Sequence, residues 1–319
     1  MTVAARWRQG MRRARAWLVP PALVLMYHRI AAPERDPWQL AVTPAHFAEH
    51  LDVIRRHGTP MPVRALTAGL ARGRVPRRAI VVTIDDGYAD NLHQARPLLA
   101  RRDVPATVFV AAGYLDRPAG FWWDELEGRI LAPAGLPPRL RMHVRGTSHD
   151  LETSGDRQQL FLHLYGLLRP LADAERRRAL DDLTAGGHES FDVTARPLDR
   201  HELRALQGDG LVEIGAHTVT HPQLSALPVP EQQAEIRQSR ALLSEVTGRE
   251  VVSFAYPYGG RGDYTADTVR LVAEAGFTSA CTTVAGAVRR STSRLELPRL
   301  HVPDCDGDGL ARRLAHWAG

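Results

Sequence analysis

Short apolar runs alternate along the chain with longer stretches in which apolar residues recur every three or four positions. Continuous runs are typical of buried strands, and the spaced pattern is typical of helices that bury one face. The alternation therefore predicts an α/β domain with a parallel sheet. The predicted strands cover residues 22–27, 79–84, 106–112, 211–216, 251–255, 277–281 and 299–302.

Local signals predict where the helices begin and end. Thr43 followed by Pro44 indicates a helix start, because Thr caps the first turn and Pro fits its first position. Apolar residues then recur at i, i+4 and i+7, and Gly58 marks the end, which predicts a helix over 44–57. Similar apolar faces occur between the later strands and at the end of the chain.

The region from about residue 120 to residue 200, called the insertion below, interrupts this rhythm. It contains Pro133, Pro137 and Pro138 and then becomes polar and rich in arginine. A long stretch of this kind inside a barrel is usually an insertion over one face. We therefore predict one α/β domain over residues 21–319, with an inserted helical cap at about 120–200 and a basic tail over 1–20.

Composition places the chain among soluble globular proteins, with 44% hydrophobic and 24% charged residues. All 41 basic residues are arginine, and their excess over 36 acidic residues gives a formal charge of +5. That excess raises nucleic acid and anionic membrane as partners. No nucleic-acid motif is present and the arginines are spread along the predicted helices, so we expect no nucleic-acid partner. Two cysteines exclude a disulfide framework and a cysteine zinc site.

The N-terminal region is basic and then briefly apolar. Five arginines lie within residues 6–15, and the apolar stretch over 18–27 contains two adjacent prolines. A membrane-spanning helix needs about 20 apolar residues, so this stretch is too short. We therefore expect a cytoplasmic protein. Its N-terminal arginines form either a solvated tail or a peripheral contact with anionic lipid.

Polar side chains follow three of the predicted strands, where the loops of a parallel sheet converge. Asp85 and Asp86 end the strand over 79–84, and adjacent carboxylates repel each other unless a cation or a proton relieves them. The loop Tyr256-Pro257-Tyr258 follows another strand, and its backbone N–H groups are suited to face a developing oxyanion. The alternatives are an ordinary Asp-Asp-Gly turn and a rigid aromatic turn.

His217 and His221 follow the strand over 211–216, and their spacing allows them to share a metal. His46 and His50 have the same spacing but lie on the predicted helix over 44–57, so we interpret them as surface histidines. One Asp and two His leave a coordination position for water, as in catalytic zinc sites. The same ligand set occurs in non-haem iron oxygenases, so the residues leave the metal open.

These clusters, in this order, resemble the first three motifs of the polysaccharide deacetylase family, carbohydrate esterase family 4 with its NodB homology domain. The segment over 25–30 resembles the lead-in strand of its surface-polysaccharide members. The resemblance covers about residues 23–317 and is weakest in the insertion. It implies a distorted (β/α) barrel with fewer than eight repeats. The motifs read Thr83-Ile84-Asp85-Asp86-Gly87, His217-Thr218-Val219-Thr220-His221 and Tyr256-Pro257-Tyr258-Gly259.

The resemblance also implies an activity, namely metal-dependent hydrolysis of N-acetyl groups on amino sugars of a poly- or oligosaccharide. By motif position, Asp85 matches the general base, and Asp86, His217 and His221 match the ligands of a divalent metal, expected to be zinc. Tyr258 matches the residue whose backbone N–H helps hold the oxyanion. The expected partner is an N-acetylated carbohydrate. A close variant is a deformylase that acts on a lipid-linked formamido sugar.

Two positions depart from the family pattern. The third motif usually carries an Arg that orients the base, but this chain has Ala255 there, and Arg299 on a later strand is a candidate substitute. The fifth motif keeps its His in Arg299-Leu300-His301, so His301 is the first candidate for the general acid and His28 the second. A packed histidine is the alternative for each. Ala255 also motivates the alternative of a catalytically weak carbohydrate-binding protein.

Trp122, Trp123 and Asp124 open the insertion. Indole rings offer flat faces for sugar rings, but packing is the more frequent role of such a pair. Asp124 is a candidate for a substrate contact or for a helix cap.

Overall fold

The computed structural model of the protein describes residues 22–74, 77–117, 120–131, 136–183 and 195–318. The strands in this part of the chain are β1 Leu23–Tyr27, β2 Arg29–Ile30, β3 Ala41–Val42, β4 Thr59–Pro60, β5 Ala79–Ile84, β6 Ala106–Val110, β7 Arg139–Val144, β8 Thr147–Glu152, β9 Val212–Ala216, β10 Ser253–Ala255, β11 Ser279–Cys281 and β12 Leu300–His301. Each strand predicted from the sequence is present, with its ends shifted by at most two residues.

Eight parallel strands form the main sheet, which curls into a half-barrel surrounded by helices. The strand order is β11–β10–β9–β6–β5–β1–β12, and β4 pairs with β5. The predicted distorted (β/α) barrel is therefore confirmed. Because all of these strands run in the same direction, the loops after β5, β9 and β10 lie at one end of the sheet.

The helices of the described residues surround this sheet and also occupy the insertion. They are α1 Pro44–His57, α2 Val63–Ala71, α3 Arg96–Arg102, α4 Trp122–Leu131, α5 Arg157–Leu168, α6 Asp173–Asp182, α7 Arg200–Gln207, α8 Val229–Thr247, α9 Ala266–Glu274 and α10 Gly307–Ala318. A π-helical turn, Asn91–Ala95, precedes α3. No helix in this part of the chain is both long and apolar enough to span a bilayer.

The strands β5 and β6 are buried along their whole length because both faces of the sheet are covered. Ile80 and Val82 of β5 pack in the main apolar cluster under the helices. Val81 packs on the opposite face with Phe109 and Ala255. The sheet core therefore holds the strand ends, and the loops that follow them, in fixed positions.

Helix α1 has the predicted bounds, since Thr43 caps it by accepting the N–H of His46 and Gly58 ends it. The interpretation of His50 as a surface histidine is wrong, because His50 is 0% exposed. Its Nε2 lies 2.7 Å from the carbonyl oxygen of Cys305, in the segment that leads into α10. The sequence pattern of α1 alone does not show that a distant segment covers this face.

The insertion contains α4, α5 and α6, and it also contains an antiparallel hairpin of β7 and β8. Leu140, Met142 and Val144 alternate with exposed residues along β7, which is the pattern of a half-buried strand. Arg145 and Gly146 both have positive φ, as in two-residue hairpin turns. The insertion packs around a second apolar cluster, which also includes Tyr88, Ala111 and Tyr114 of the barrel. The predicted tail over 1–20 lies outside the described residues.

Candidate active site

The carboxylates of Asp85 and Asp86 lie at the end of β5, in a sharp turn. The N–H of Asp85 still donates to the carbonyl of Tyr27, 3.0 Å away, as a continuation of the β1–β5 pairing. Asp86 and Gly87 then have φ values of 74° and 89°. A Cβ on Gly87 would lie 3.0 Å from a methyl group of Val110, so this position favours glycine. The turn thus aims two neighbouring carboxylates into one buried space.

His217 and His221 lie after β9, and both point their Nε2 atoms at Asp86. His217 Nε2 is 3.6 Å from Asp86 Oδ1, and His221 Nε2 is 3.5 Å from the same oxygen. The Nδ1 of His217 lies 2.8 Å from the carbonyl oxygen of Ala255, which accepts its proton. That hydrogen bond fixes the tautomer and leaves a lone pair on Nε2 for a ligand.

The three side chains fit a metal ion, since one ligand atom from each lies within 4.8 Å of the others. Ligands bound about 2.1 Å from a tetrahedral zinc lie roughly 3.4 Å apart, which is close to the separations above. Burial lowers the pKa of both histidines and so keeps them in the neutral form that binds metals. Burial, with the charges of Asp85 and Asp124, raises the pKa of Asp86 well above its usual range. A cation would relieve this crowding of negative charge.

Asp85 forms a buried, bidentate ion pair with Arg299. The two guanidinium Nη atoms each lie 2.7 Å from a different carboxylate oxygen of Asp85. Arg299 is fully buried and also donates to Thr83 Oγ1 and to the carbonyl of Thr282. Burial alone would raise the pKa of Asp85, but the charge of Arg299, together with its hydrogen bonds and the nearby histidines, holds that pKa below its usual range. Arg299 therefore makes the contact to the carboxylate that Ala255 cannot make.

The two histidines considered as acids lie in different surroundings. His28 Nε2 is 3.9 Å from Asp85 Oδ2, and burial lowers the pKa of His28 to about 4. Its Nδ1 is buried and has no hydrogen-bond partner among the described residues. His301 is exposed, and the groups that influence its pKa include Asp36 and Arg313, while His301 itself lies near enough to His28 to contribute to the lowered pKa of His28. The structure thus brings His28 to Asp85 and leaves His301 at the surface.

Tyr258 lies in the loop after β10 with a left-handed backbone, φ 61°. Its carbonyl accepts the hydroxyl of Thr283 at 2.6 Å, whereas its N–H has no acceptor among the described residues. Its ring packs 4.8 Å from the ring of His221 and beneath the guanidinium of Arg169, 4.2 Å away. The backbone N–H of Tyr258 is therefore available to a ligand beside His221.

The indoles of Trp122 and Trp123 are buried, at 1% and 6% exposure, so both rings pack against other side chains. Trp123 Nε1 donates to the hydroxyl of Tyr88 at 2.7 Å, and that hydroxyl donates to Asp124 at 2.9 Å. The ring of Trp123 also packs 4.6 Å from the ring of His221. The first helix of the insertion thus forms part of the wall beside the candidate metal ligands.

Sequence reasoning missed two residues that support the loop carrying His221. The carboxylate of Glu235, on α8, accepts the N–H groups of Val219 and Thr220 at 2.7 and 2.9 Å. Arg176, on α6, donates to the carbonyl of Thr220 at 3.2 Å. Neither residue carries a local signal, because each contacts the loop from a distant part of the chain.

Residues 72–155 and 175–280, more than half of the chain, match a family model described as polysaccharide deacetylase. The YxkH protein of Bacillus subtilis (strain 168), whose name describes it as a polysaccharide deacetylase, is 20% identical to this chain over 281 residues. That alignment covers 88% of this chain and 70% of YxkH.

Two solved structures have a similar fold. The deacetylase PplD of Streptococcus pyogenes, solved with acetate, has a TM-score of 0.62 at 17% identity, covering 93% of this chain and 99% of that one. IcaB of Ammonifex degensii has a TM-score of 0.60 at 21% identity, covering 94% and 97%.

Proposed function

This chain belongs to the polysaccharide deacetylase family of hydrolases, which act on amide bonds of N-acetylated sugars, and we propose that it removes N-acetyl groups from amino sugars of a poly- or oligosaccharide. One observation carries the proposal. Asp86, His217 and His221 form a buried set of candidate metal ligands, and the carboxylate of Asp85, paired with Arg299, lies at the same end of the sheet. Such a set leaves room for a substrate oxygen in a metal's coordination.

We propose that Asp86, His217 and His221 hold a divalent cation, with zinc as the metal. Two imidazole nitrogens and one carboxylate oxygen are donors that zinc accepts. A bound cation of this kind polarises an amide carbonyl and makes a nearby water more acidic.

Asp85 is the proposed general base. Arg299 keeps it ionised and holds its carboxylate in one orientation, and each carboxylate oxygen retains a further lone pair. The carboxylate can therefore take the proton of the attacking water. The Tyr258 N–H would donate to the amide oxygen as that oxygen gains negative charge, and this donor lacks a competing acceptor among the described residues.

Protonation of the leaving amine needs an acid, and we propose His28 ahead of His301. The low pKa of His28, about 4, means that it is neutral at rest and must gain a proton during the cycle. Asp85, which holds the proton taken from water, has an oxygen 3.9 Å from His28 Nε2. Movement of the proton from Asp85 to His28 and then to the amine would regenerate both residues.

The alternative of a catalytically weak binding protein was motivated by Ala255, which cannot orient the base. Arg299 orients the carboxylate of Asp85 instead, so that motive no longer holds. The deformylase variant uses the same chemistry on a smaller acyl group.

A cap function of the insertion and contact of the N-terminal arginines with anionic membrane stay predictions, and residues 1–20 lie outside the described part of the chain.

The test is amine release from N-acetylglucosamine oligomers and from a formamido sugar by purified, zinc-loaded protein. We expect release from the acetylated oligomers, and a variant Asp85→Asn that keeps its zinc but loses turnover by about 100-fold or more. Release from the formamido sugar alone would replace the deacetylase proposal by the deformylase variant. Zinc-loaded protein without turnover on either substrate would contradict the proposed reaction.

A further inference from the structure

Arg176 belongs to α6 of the insertion, yet one of its hydrogen bonds reaches the loop of the candidate metal site. The side chain is 1% exposed. Its guanidinium donates to the carbonyls of Leu168 at 3.3 Å, Leu171 at 2.7 Å and Thr220 at 3.2 Å. The first two acceptors lie within the insertion, and the third immediately precedes His221. Arg176 therefore links the insertion to a residue next to a metal ligand.

A buried guanidinium constrains the groups around it. Arginine stays charged in proteins and carries five N–H donors in a fixed planar fork. Burial of that charge is costly unless its donors are paired, so displacement of any one of the three carbonyls is unfavourable. The fork thus sets the position of the Thr220 carbonyl relative to the end of α5.

The loop itself has a backbone that needs such support. Thr218 and His221 have φ values of 64° and 54°, in the left-handed region that non-glycine residues rarely adopt. Conformations of this kind persist where the surroundings hold them. Glu235 binds the N–H groups of Val219 and Thr220 from the barrel side. Arg176 binds a carbonyl of the same loop from the insertion.

Other contacts of the insertion reach the same end of the sheet. Trp123 packs against the ring of His221, 4.6 Å between centroids. Arg169 lies over the ring of Tyr258 and forms an ion pair with Asp263, whose other oxygen accepts the N–H of Gly260. The insertion therefore contacts the loops after both β9 and β10.

We propose that Arg176 is a positioning residue of the metal site, which holds the Thr220 carbonyl and thereby the orientation of His221. This inference rests on the proposed ligand set of Asp86, His217 and His221. The positive charge of Arg176 would by itself disfavour a nearby cation. Replacement of Arg176 therefore weakens zinc binding if its role is positioning, and strengthens zinc binding if its charge dominates.

The test measures zinc affinity of metal-free protein by competition with a colorimetric chelator, and thermal unfolding of the same samples. Arg176→Met keeps the side-chain length but removes the fork, and we expect zinc binding to weaken about 10- to 100-fold. The matched control is Arg177→Met, on the same helix, because Arg177 pairs with Glu125 inside the insertion. We expect this control to bind zinc like the wild type.

Two further variants separate the effects. Arg176→Lys keeps the charge but replaces the fork with a single ammonium. We expect its zinc affinity to lie between the affinities of the wild type and of Arg176→Met. Glu235→Gln should also weaken zinc binding, and its effect should not add to that of Arg176→Met because both side chains hold the same loop. If Arg176→Met does not fold, the zinc affinities of Arg176→Lys and Arg177→Met are compared instead, and weaker binding by Arg176→Lys supports the positioning role.

Equal zinc affinity of the Arg176 and Arg177 variants would overturn the inference, even if Arg176→Met unfolds at a lower temperature. Tighter binding by Arg176→Met would also overturn it, since charge would then dominate. His217→Ala distinguishes this failure from failure of the ligand set. If His217→Ala binds zinc like the wild type, the ligand assignment is wrong; if it does not, only the role of Arg176 is in question.

Discussion

Asp85 combines a negative charge with a fixed orientation, although it is buried. Burial favours the protonated form of a carboxyl group, and the bidentate contact with Arg299 reverses that preference. A planar guanidinium can donate to both carboxylate oxygens at once, whereas a lysine ammonium cannot reproduce this geometry. The pair therefore gives the proposed base both properties that proton transfer requires.

Arg299→Lys tests this role. We expect kcat for amine release to fall about 10- to 100-fold, because Asp85 loses its fixed orientation. Zinc content should stay at the wild-type level, since Arg299 contacts Asp85 and not the candidate ligands. Steady-state kinetics and metal analysis of one preparation measure both. The exposed Arg289→Lys is the control, and an unchanged kcat in Arg299→Lys would contradict the role.

Tyr258→Phe separates the backbone of Tyr258 from its side chain. Loss of one oxyanion donor costs about 100- to 1000-fold in kcat in other hydrolases. Phenylalanine keeps the backbone N–H, so we expect a much smaller decrease, measured as kcat on the acetylated oligomers. A decrease of the full size would show that the hydroxyl, rather than the N–H, acts on the substrate.

At the scale of single elements, the strands and the caps were predictable, but the loop conformations were not. Apolar runs located every strand of the sequence analysis to within two residues, because both faces of the sheet are buried. The left-handed conformations of Asp86, His221 and Tyr258 could not be located from residue type alone, since each depends on contacts from distant segments. The β7–β8 hairpin did carry a signal, the alternation of Leu140, Met142 and Val144 with Arg141 and His143, but the helical interpretation of the insertion did not use it.

Helix α7 begins with a capping box of Asp199 and Glu202, and this gives a prediction for acid stability. A hydrogen bond from Arg196 is the main cause that lowers the pKa of Glu202 from 4.5 to about 2. Since the folded-state pKa lies below the unfolded one, the stabilisation is complete above about pH 4.5 and is lost as the pH falls toward 2.

We therefore expect Glu202→Gln to lower the free energy of unfolding at neutral pH, with a difference from wild type that shrinks as the pH falls from about 4.5 toward 2. Urea unfolding at several pH values measures this difference. Glu245→Gln, on an exposed position of α8, is the control for the loss of a surface charge. A difference for Glu202→Gln that is constant across this pH range would contradict the linkage.

At the scale of the whole molecule, the resemblance of the strand-end motifs, in their order, to the polysaccharide deacetylase family predicted the barrel. The parallel strands then predicted that its polar residues lie at one end. The sequence did not show which histidine would approach Asp85, because His301 lies near His28 but on an edge strand, where it is exposed. It also did not show which of the arginines over 176–178 is buried, since only the packing of the insertion against the barrel distinguishes them.

Hydrogen exchange should reveal two levels of stability in the molecule. The amides of β5 and β6 lie in the centre of the sheet and are fully buried, so we expect them to exchange slowest. The amides of β7 and β8 form a two-stranded hairpin with one exposed face and should exchange faster. Mass spectrometry of peptides over time measures this, and equal protection of both regions would contradict the separation of the two apolar clusters.

The most direct test of the account is a zinc titration of metal-free protein with amine release as the readout. We expect activity to rise with added zinc and to saturate near one equivalent, because Asp86, His217 and His221 form a single set of ligands. His217→Ala should show no such rise. Full activity in metal-free protein, or retention of both zinc and activity by His217→Ala, would contradict the assignment of this site.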